Sequence, residues 1–203
     1  MSTISPFTNN VRTAANQQER LQTRIDLSKI QHSFGWYIAG FVDGEGSFNI
    51  SLRKKSDYRL IWQPVLSFNV SQKDKTMLEN MKKIFHCGII KQRKVDGVFS
   101  YDITNPLELY NRIIPFFKKF TFFSKSKRHN FALFCKATEL MMKKRHLTQS
   151  GLYELVQLRE QINPGIARKR KYSMKDVFGE SSETTRQVLA KAGKDIVRPH
   201  GRP

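Results

Sequence analysis

The clearest pattern in the chain is a strict alternation of apolar and polar residues from Ser47 to Arg53. A period of two is the spacing of a strand whose side chains point to opposite faces of a sheet. The sequence therefore predicts a strand with one buried face and one wetted face. Its apolar residues are Phe48, Ile50 and Leu52, and its polar residues are Asn49, Ser51 and Arg53.

A second alternating run extends from Tyr58 to Ser71 and predicts the partner strand of a hairpin. The polar segment Lys54–Asp57 predicts the connecting turn, which places the basic Lys55 at its tip. Gln63 and Asn69 fall on the polar face of the second run. Pro64 interrupts this run, and because proline cannot donate to a strand ladder, we expect an edge or bulged position there.

Helical and strand periodicities alternate along the rest of the chain. Asp96-Gly97 predicts a hairpin turn, and Asn105-Pro106 predicts a helix start, with Pro115 kinking or shortening that helix. The predicted elements are a helix from Met77 that ends at Gly88, strands 89–94 and 98–104, a helix from Pro106 through Phe117, and helices 126–145 and 148–162. The order α-β-β-α-β-β-α, followed by further helices, predicts an α+β domain with helices stacked on one face of a four-stranded antiparallel sheet.

Composition changes at both ends of this domain. Residues 1–30 are polar and favour a flexible arm, or more weakly a transit segment, with Arg12, Arg20 and Arg24 as possible DNA contacts. The domain itself covers residues 31–165. Residues 166–203 form a basic extension, in which Glu183–Ala192 is predicted as a short helix.

The charge balance points to a polyanionic partner. Lys and Arg number 36 against 17 Asp and Glu, which gives a formal charge of +19 and a pI near 10.2. Nucleic acid or an anionic membrane fits such an excess. No apolar run approaches the roughly 20 residues that span a bilayer, so nucleic acid is favoured and no membrane partner is expected. The two cysteines, Cys87 and Cys135, lack metal-ligand spacing and predict buried, reduced thiols.

One short stretch, Trp36–Ser47, combines features with chemical meaning. Gly40 and Gly44 share one face of a predicted helix, where a second backbone can approach closely. Asp43 and Glu45 lie at the end of that helix, where carboxylates are unfavourable unless a cation compensates them. The acids alone favour a solvated helix end over a metal site, and both interpretations stay open on these residues.

The string Ile38–Gly46 resembles the signature of the LAGLIDADG homing endonucleases, and the similarity continues to about Asn163. The sequence contains one copy of the motif. In that family a single copy implies a homodimer, with the interface at Ala39, Gly40, Asp43 and Gly44.

The resemblance also implies a catalytic site. Glu45 matches the metal-binding acid, although the signature's letters have Asp there, and the carbonyl of Gly44 is a further ligand. Mg²⁺ is the expected cofactor, with Mn²⁺ as a substitute. Gln72 matches a glutamine that positions water, and Lys125 matches a lysine near the scissile phosphate, with Lys127 close behind it. Asp43 is expected to cap and orient the helix end.

Polar residues of the strands are suited to reading base edges in a major groove. Arg and Lys suit guanine, Asn and Gln suit adenine, and Asp suits the cytosine amine. The alternative is a sheet face that is exposed to solvent and has no binding role. In the resembling family such a sheet forms a saddle over double-stranded DNA. The candidate DNA-binding residues are Asn49, Ser51, Arg53, Lys55, Gln63, Asn69, Lys91, Arg93, Ser100, Asp102 and Lys127.

The sequence is thus expected to encode a site-specific endonuclease that cuts a long, nearly palindromic DNA target and takes no small-molecule substrate. An intron-encoded, organellar origin is expected from the resemblance. Two alternatives remain at this point: an RNA maturase that kept the fold, and a DNA-binding regulator that does not cleave.

Overall fold

A computed structural model gives the structure of the 203-residue chain and describes residues 23–164 and 170–179. The helices are α1 (His32–Glu45), α2 (Thr76–Phe85), α3 (Pro106–Glu108), α4 (Ile114–Lys119), α5 (Lys125–Met142), α6 (Gln149–Gln161) and α7 (Met174–Phe178). The strands are β1 (Gly46–Lys54), β2 (Trp62–Gln72), β3 (Ile89–Gln92) and β4 (Phe99–Ile103). Short 3-10 turns cover Leu27–Lys29 and Arg145–Leu147, and a π-helical turn covers Leu109–Ile113.

The four strands form one sheet in the order β1-β2-β4-β3, and β4 pairs antiparallel with both of its neighbours. The predicted α+β class and the predicted order of elements are confirmed. The alternation in β1 and β2 also appears as expected, with every second residue buried from Phe48 to Leu52 and from Trp62 to Val70.

The turn between β1 and β2 is longer than predicted, because β2 begins at Trp62 and not at Tyr58. The N–H of Tyr58 donates to the carbonyl of Lys55 (3.2 Å), and the N–H of Ile61 donates to that of Tyr58 (2.7 Å). Ile61 adopts a left-handed conformation with φ of 61°. Local backbone bonding therefore holds residues 55–61 in a turn despite their apparent strand alternation.

Pro64 does not mark an edge strand, because β2 lies between β1 and β4. The pairing of β2 with β4 runs from Phe68 to Gln72, so Pro64 stands beyond that ladder. Its missing N–H therefore costs no bond to β4.

The second hairpin is shorter than predicted. Strand β3 ends at Gln92, and Arg93 begins the turn by donating its N–H to the carbonyl of Val98 (2.9 Å). Gly97, with φ of 67°, supplies the left-handed residue that Asp96-Gly97 predicted. Helix α2 ends at Phe85, three residues before the predicted Gly88, since His86 takes a left-handed cap conformation with φ of 50°.

The chain packs into two compact units. Among the described residues, the first contains residues 23–47 together with Phe68–Arg128, and the second contains Phe48–Ser67, residues 129–164 and residues 170–179. In the first unit, aromatic rings form much of the core around Phe117, which packs on Phe68, Phe116 and Phe122 with centroid separations of 5.7, 5.0 and 4.7 Å. Helix α1 buries Ile38, Ala39 and Val42 completely or nearly so.

Pro115 distorts its helix as predicted, and the structure gives the reason. A residue at position 115 would ordinarily donate its N–H to the carbonyl of Asn111, and proline has no N–H. That carbonyl instead accepts from the N–H of Ile25 (3.0 Å), while the backbone before Pro115 widens into the π turn. Part of the predicted N-terminal arm is thereby attached to the first unit.

In the second unit, Phe48 packs against Phe131 and Phe134 of α5, with centroids 5.2 and 5.1 Å apart. A further cluster joins Leu52 and Trp62 of the hairpin to Leu152 and Val156 of α6. Residues 170–179 pack on this cluster and include α7, a helix that the sequence did not predict.

The predicted helix Glu183–Ala192 and the candidate contacts Arg12 and Arg20 lie outside the described residues. Cys87 and Cys135 are free thiols, the first buried and the second half-buried. Within residues 23–164 and 170–179, no helix is both long and apolar enough to cross a membrane.

Candidate active site

A single carboxylate joins helix α1 to helix α5. Oδ2 of Asp43 accepts hydrogen bonds from the backbone N–H groups of Phe123 (3.0 Å) and Ser124 (2.8 Å), and Oδ1 accepts from the Ser124 hydroxyl. These donors belong to the last two residues before α5, and Ser124 is itself the N-cap, because its hydroxyl accepts from the N–H of Lys127 (3.3 Å). Asp43 therefore completes the cap of α5 from about 80 residues away in sequence, and its negative charge faces the positive end of the helix dipole.

The environment of Asp43 favours its charged form. Partial burial acts to raise the pKa of its carboxyl, but the hydrogen bonds from Ser124 and Phe123 and the charge of Lys127 outweigh burial and hold the pKa below its usual value. This geometry agrees with the orienting role expected for Asp43.

The same junction brings Lys127 to the acidic end of α1. Lys127 lies in the first turn of α5, and its ammonium donates to the carbonyl of Gly46. Burial lowers the pKa of Lys127, although the charges of Asp43 and Glu45 act to raise it. Lys127 therefore releases its proton more readily than a lysine in water, which is typical of lysines at reactive sites.

Lys125, the lysine that the resemblance matched to the scissile phosphate, stands two residues before Lys127 on α5. Its side chain is exposed at the first position of α5, whereas Lys127 is half-buried beside Asp43 and Glu45. Residues two apart on a helix point in different directions, so the docking of α5 on Asp43 decides which lysine reaches the acids. The structure therefore favours Lys127 over Lys125 as the candidate catalytic lysine.

Glu45 is the last residue of α1, and its side chain is exposed. The carbonyl of Gly44 belongs to the last turn, where carbonyls lack partners within the helix. Carboxylate and carbonyl oxygens at the negative end of a helix dipole are donors that suit a hard divalent cation. Among the described residues, no three His, Cys, Asp or Glu side chains come together. Glu45 and Gly44 therefore fit a cation that takes its remaining ligands from phosphate, water or a second protein copy.

Gln72 ends β2, antiparallel to β1, which starts directly after Glu45. The end of one hairpin strand lies beside the start of the other, so Gln72 belongs to the same end of the hairpin as Gly46. Its Oε1 accepts from the N–H of Lys73 (3.0 Å), which orients the amide and leaves Nε2 as the donor that it presents.

One face of α1 is exposed and apolar. Trp36 and Tyr37 are 43% and 60% exposed, and Gly40 and Gly44 follow them on the same face. A Cβ built on Gly40 or Gly44 would meet nothing within 4 Å, whereas one on Gly35 would lie 2.3 Å from the Phe120 ring. Gly35 thus serves packing inside the protomer, and the other two glycines leave an open surface.

Two residues of the predicted interface set are engaged within their own protomer. Ala39 is only 2% exposed because its side chain is buried in the core, so it does not belong to this open face. The Asp43 carboxylate is engaged by the residues before α5. Trp36 and Tyr37, four and three residues before Gly40, are exposed on the open face although they were not part of the predicted set.

In the first unit, four predicted reading residues come together on the polar face of the sheet. Asn69 donates to the Ser100 hydroxyl (2.7 Å) and to the Asp102 carboxylate, and Ser100 donates to Asp102 (3.0 Å). Lys91 lies opposite Ser100 in the strand register and is exposed. Arg93 does not join them, because it lies in the turn and pairs with Asp96 at 2.9 Å.

In the second unit, Arg53 and Lys55 are exposed at the end of the β1–β2 hairpin. Ser51 donates to the carbonyl of Val65 (3.3 Å), which ties its hydroxyl to the neighbouring strand. Gln63 is half-buried and donates to the Tyr58 hydroxyl (3.0 Å). Of these four candidate DNA-binding residues, Ser51, Arg53 and Lys55 are exposed, and Gln63 is half-buried.

Asn49 has a partner that the sequence reasoning missed. Asn163, which follows α6 with φ of 47°, donates to the carbonyl of Phe48 (2.9 Å) and to Oδ1 of Asn49 (3.3 Å). The sequence marked Asn163 only as a helix stop before Pro164. Its amide orients the Asn49 side chain on the polar face.

Comparison with known proteins identifies relatives of this chain. A family model described as LAGLIDADG endonuclease matches residues 38–138. The probable intron-encoded endonuclease 2 of Neurospora crassa is 31% identical over 132 residues, which are 64% of this chain and 27% of that protein.

Solved structures of I-SmaMI, a LAGLIDADG homing endonuclease, show the same fold. The complex with cleaved DNA is 34% identical, with a TM-score of 0.61, and the match covers 86% of this chain and 51% of that one. The complex with an uncleaved DNA target in the presence of calcium ions is 34% identical, with a TM-score of 0.62 over 86% and 52% of the two chains. The chain thus spans about a quarter of the first curated relatives and about half of these solved structures.

Replacing Asp43 by alanine tests the helix junction. We expect Asp43→Ala to lower the free energy of unfolding by about 1–2 kcal/mol at pH 7, the range for loss of a helix N-cap. Because the pKa of Asp43 is depressed in the folded state, its contribution is complete above the unfolded pKa of about 3.9 and is lost as the pH falls through the folded value. Urea unfolding at fixed protein concentration, from pH 7 to pH 2.5, measures both effects.

The matched control is Asp57→Ala, since the Asp57 side chain is 71% exposed and its carboxylate lies 4.0 Å from the Lys55 ammonium. This exposed pair contributes little, and the control should change stability by less than about 0.5 kcal/mol. Equal losses in the two variants, or a deficit in Asp43→Ala that persists unchanged at pH 2.5, would contradict the junction.

Proposed function

We propose that this chain, which belongs to the LAGLIDADG homing endonuclease family, cuts double-stranded DNA at a specific site by metal-dependent hydrolysis. The observation that carries the proposal is the convergence of Glu45, Lys127 and the carbonyl of Gly46 where the two helix ends meet. The adjoining strands carry polar side chains of the types that read base edges. The net charge of +19 suits a polyanionic substrate.

In the proposed reaction, the oxygen of water bonds to phosphorus as the bond from phosphorus to one sugar oxygen breaks. The attacking water gives one proton to solvent, and the sugar oxygen leaves with the bonding electron pair and takes up a proton from solvent. Gln72 orients the attacking water through its amide. Lys127 moves from the carbonyl of Gly46 to a nearby phosphate oxygen, where its charge offsets the negative charge that develops in the transition state. Glu45 would help to hold a divalent cation beside the reacting phosphate.

Mg²⁺ is the proposed cofactor, with Mn²⁺ as a substitute, held by Glu45 and the carbonyl of Gly44. Such an ion would neutralise phosphate charge and make bound water more acidic. The oxygen-only donor set and the lack of a complete cage among the described residues support this choice over a metal that prefers nitrogen or sulfur ligands.

The functional form is proposed to be a homodimer that joins through the open face of α1. Trp36 and Tyr37 are exposed there, and Gly40 and Gly44 leave room for a second backbone to approach. A glycine-lined contact allows helix axes to approach to about 8 Å. A second copy would also bring a second Glu45 carboxylate to the same helix ends. Two protomers would present two equivalent sheets, which suits a long, nearly palindromic target.

An intron-encoded, organellar origin is part of the proposal and is supported by the intron-encoded relative from Neurospora crassa. The presence of Glu45, Gln72 and Lys127 in one unit favours the cleaving enzyme over a non-cleaving regulator or an RNA maturase.

Selection of cut sites from a random DNA library tests the proposal as a whole. With Mg²⁺ present, sequencing of the cut ends should recover one long recurrent site. The control Glu45→Gln keeps the size of the side chain and removes its charge. We expect this variant to bind the same site and to cut it at least about 100-fold more slowly. Binding without any cleavage by the wild type, or preference for folded RNA over duplex DNA, would overturn the proposed function.

The two lysines of α5 give a matched pair of variants. Lys127→Met should lower the single-turnover cleavage rate by roughly 100-fold, the scale for loss of a transition-state charge contact. Lys125→Met also removes one positive charge and should lower that rate by less than about threefold, because Lys125 is exposed whereas Lys127 is half-buried beside the acids. A larger loss for Lys125→Met would return the catalytic role to Lys125.

Placing a leucine on the open face of α1 tests the dimer. Gly40→Leu should give a monomer in sedimentation and abolish cleavage, while the unfolding midpoint of the protomer is not lowered, since a Cβ there meets nothing within 4 Å. The control Ala132→Leu adds the same side chain at an exposed position of α5 and should remain dimeric and active. Normal sedimentation and cutting by Gly40→Leu, or a wild type that cuts as a monomer, would contradict the interface.

A further inference from the structure

The outer end of the β1–β2 hairpin, where the connecting turn lies, packs against a segment that has no part in the proposed catalysis. Leu52 and Trp62 point from the hairpin into a cluster with Leu152 and Val156 of α6. Residues 170–179 pack on the same cluster through four partly buried side chains, those of Tyr172, Met174, Val177 and Phe178. The closest ring pair joins Trp62 to Tyr172, with centroids 4.8 Å apart and planes at 71°.

Polar contacts fix this segment in place. Arg159 of α6 is only 4% exposed, and its Nη2 donates to the carbonyl of Tyr172 (2.8 Å). Arg170 donates to the carbonyls of Arg159 and Ile162, the latter at 2.8 Å. Glu160 lies 2.7 Å from the Arg159 guanidinium and 3.7 Å from that of Arg170. A buried guanidinium with paired partners holds a chain segment firmly, because releasing it would leave a charge uncompensated.

The segment begins its helix with a strong local signal. The Ser173 side chain accepts from the N–H of Asp176, and the Asp176 carboxylate accepts from the N–H of Ser173 (2.6 Å). This capping box defines where α7 starts. At the other end, the ring of Phe178 packs on Tyr153 of α6, with centroids 5.3 Å apart.

The hairpin end needs such support. The pairing of β2 with β4 begins only at Phe68, so the β2 residues before it lie beyond that ladder. A two-stranded ribbon is marginally stable in water unless it packs against another layer. On the face opposite Leu52 and Trp62, the next residues along each strand are Arg53, a candidate reader, and Gln63. The positions of Arg53 and Gln63 therefore depend on the packing of Leu52 and Trp62 on the opposite face.

We propose that residues 170–179 hold the outer end of the β1–β2 hairpin in its DNA-binding shape, with Tyr172 as a positioning residue that acts through Trp62 on DNA reading by Arg53 and Lys55. This inference rests on the proposed function. A hairpin fixed before binding loses less conformational entropy when it meets DNA, and that saving appears as affinity and as discrimination at the base pairs that it contacts. Arg53 is eight residues from Glu45 along the chain, so the affected base pairs lie away from the cut.

The test compares Tyr172→Ala with Tyr172→Phe, which keeps the ring against Trp62. Tyr172→Ala should weaken binding to the selected site roughly tenfold, the scale of ordering several side chains on binding. It should also relax discrimination at the outer base pairs of the site and leave discrimination at the central ones unchanged. The single-turnover cleavage rate at saturating DNA should stay within about twofold, since Lys127 and Glu45 are untouched. Tyr172→Phe should match the wild type.

A second control separates positioning from general instability. Phe85→Leu creates a cavity in the core of the first unit, where Phe85 packs on Phe116, whereas the segment belongs to the second unit. Well below its melting temperature this variant should bind DNA like the wild type. Hydrogen exchange adds a readout that is independent of DNA: in the milder variant Val177→Ala, faster exchange should be confined to the hairpin end and residues 170–179.

Each outcome bears on the inference. A wild type that neither binds nor cuts DNA removes the proposed function and this inference with it. A wild type that does both, with a Tyr172→Ala variant equal to it in affinity and in outer-position discrimination, overturns this inference alone. Uniform loss of discrimination across the site, or unchanged exchange in the hairpin of Val177→Ala, would also overturn it.

Discussion

The hydrogen bonds between Asp43 and the start of α5 hold the candidate site together. They join two helix ends of opposite polarity, the C-terminal end of α1 and the N-terminal end of α5. A lysine in the first turn of a helix is unfavourable by itself, because the dipole is positive there. The carboxylate of Asp43 and the carbonyl of Gly46 compensate this charge. Without this junction, Glu45 and Lys127 would lie on separate elements with no fixed relation.

The glycines of α1 show how one helix serves two kinds of packing. Gly35 lies against the Phe120 ring, where a methyl group would overlap it, so this glycine is required by the fold of the protomer. A Cβ on Gly40 or Gly44 would meet nothing within 4 Å among the residues that the structure describes. Glycine in a helix interior costs about 1 kcal/mol relative to alanine. Close packing of a second backbone against this open face would offset the cost of the two glycines.

The sequence predicted well those features that depend on local periodicity. The alternation in β1 and β2 follows from burial of one sheet face, and Gly97 and Asn105 act through their own backbone conformations or side chains. The boundaries at Ile61 and His86 were missed, because the structure places ordinary residues in left-handed conformations there. The distortion of the helix at Pro115 was predicted. The hydrogen bond from the Ile25 N–H to the carbonyl that Pro115 leaves without a partner was not, because Ile25 is distant in sequence.

The site was predicted at the level of residue types but not of their partners. The motif identified Asp43 and Glu45, yet the choice between Lys125 and Lys127 depends on how α5 is rotated against Asp43, and this rotation is a tertiary property. Ala39 matches the motif, but its side chain is buried in the core of the protomer. Its position next to Gly40 in the sequence did not show which way it faces. Segment 170–179 was read as a basic tail, since its few apolar residues gain meaning only against Trp62.

A double-mutant cycle between Asp43→Ala and Lys127→Met tests the central claim most directly. The single-turnover cleavage rate is measured at pH 7, well below the melting temperature of each variant. If Asp43 acts by placing Lys127, Asp43→Ala should slow cleavage roughly tenfold in the wild-type background and less than about twofold when Lys127 is already methionine. Equal slowing in both backgrounds would show that the two residues act independently and would contradict the account.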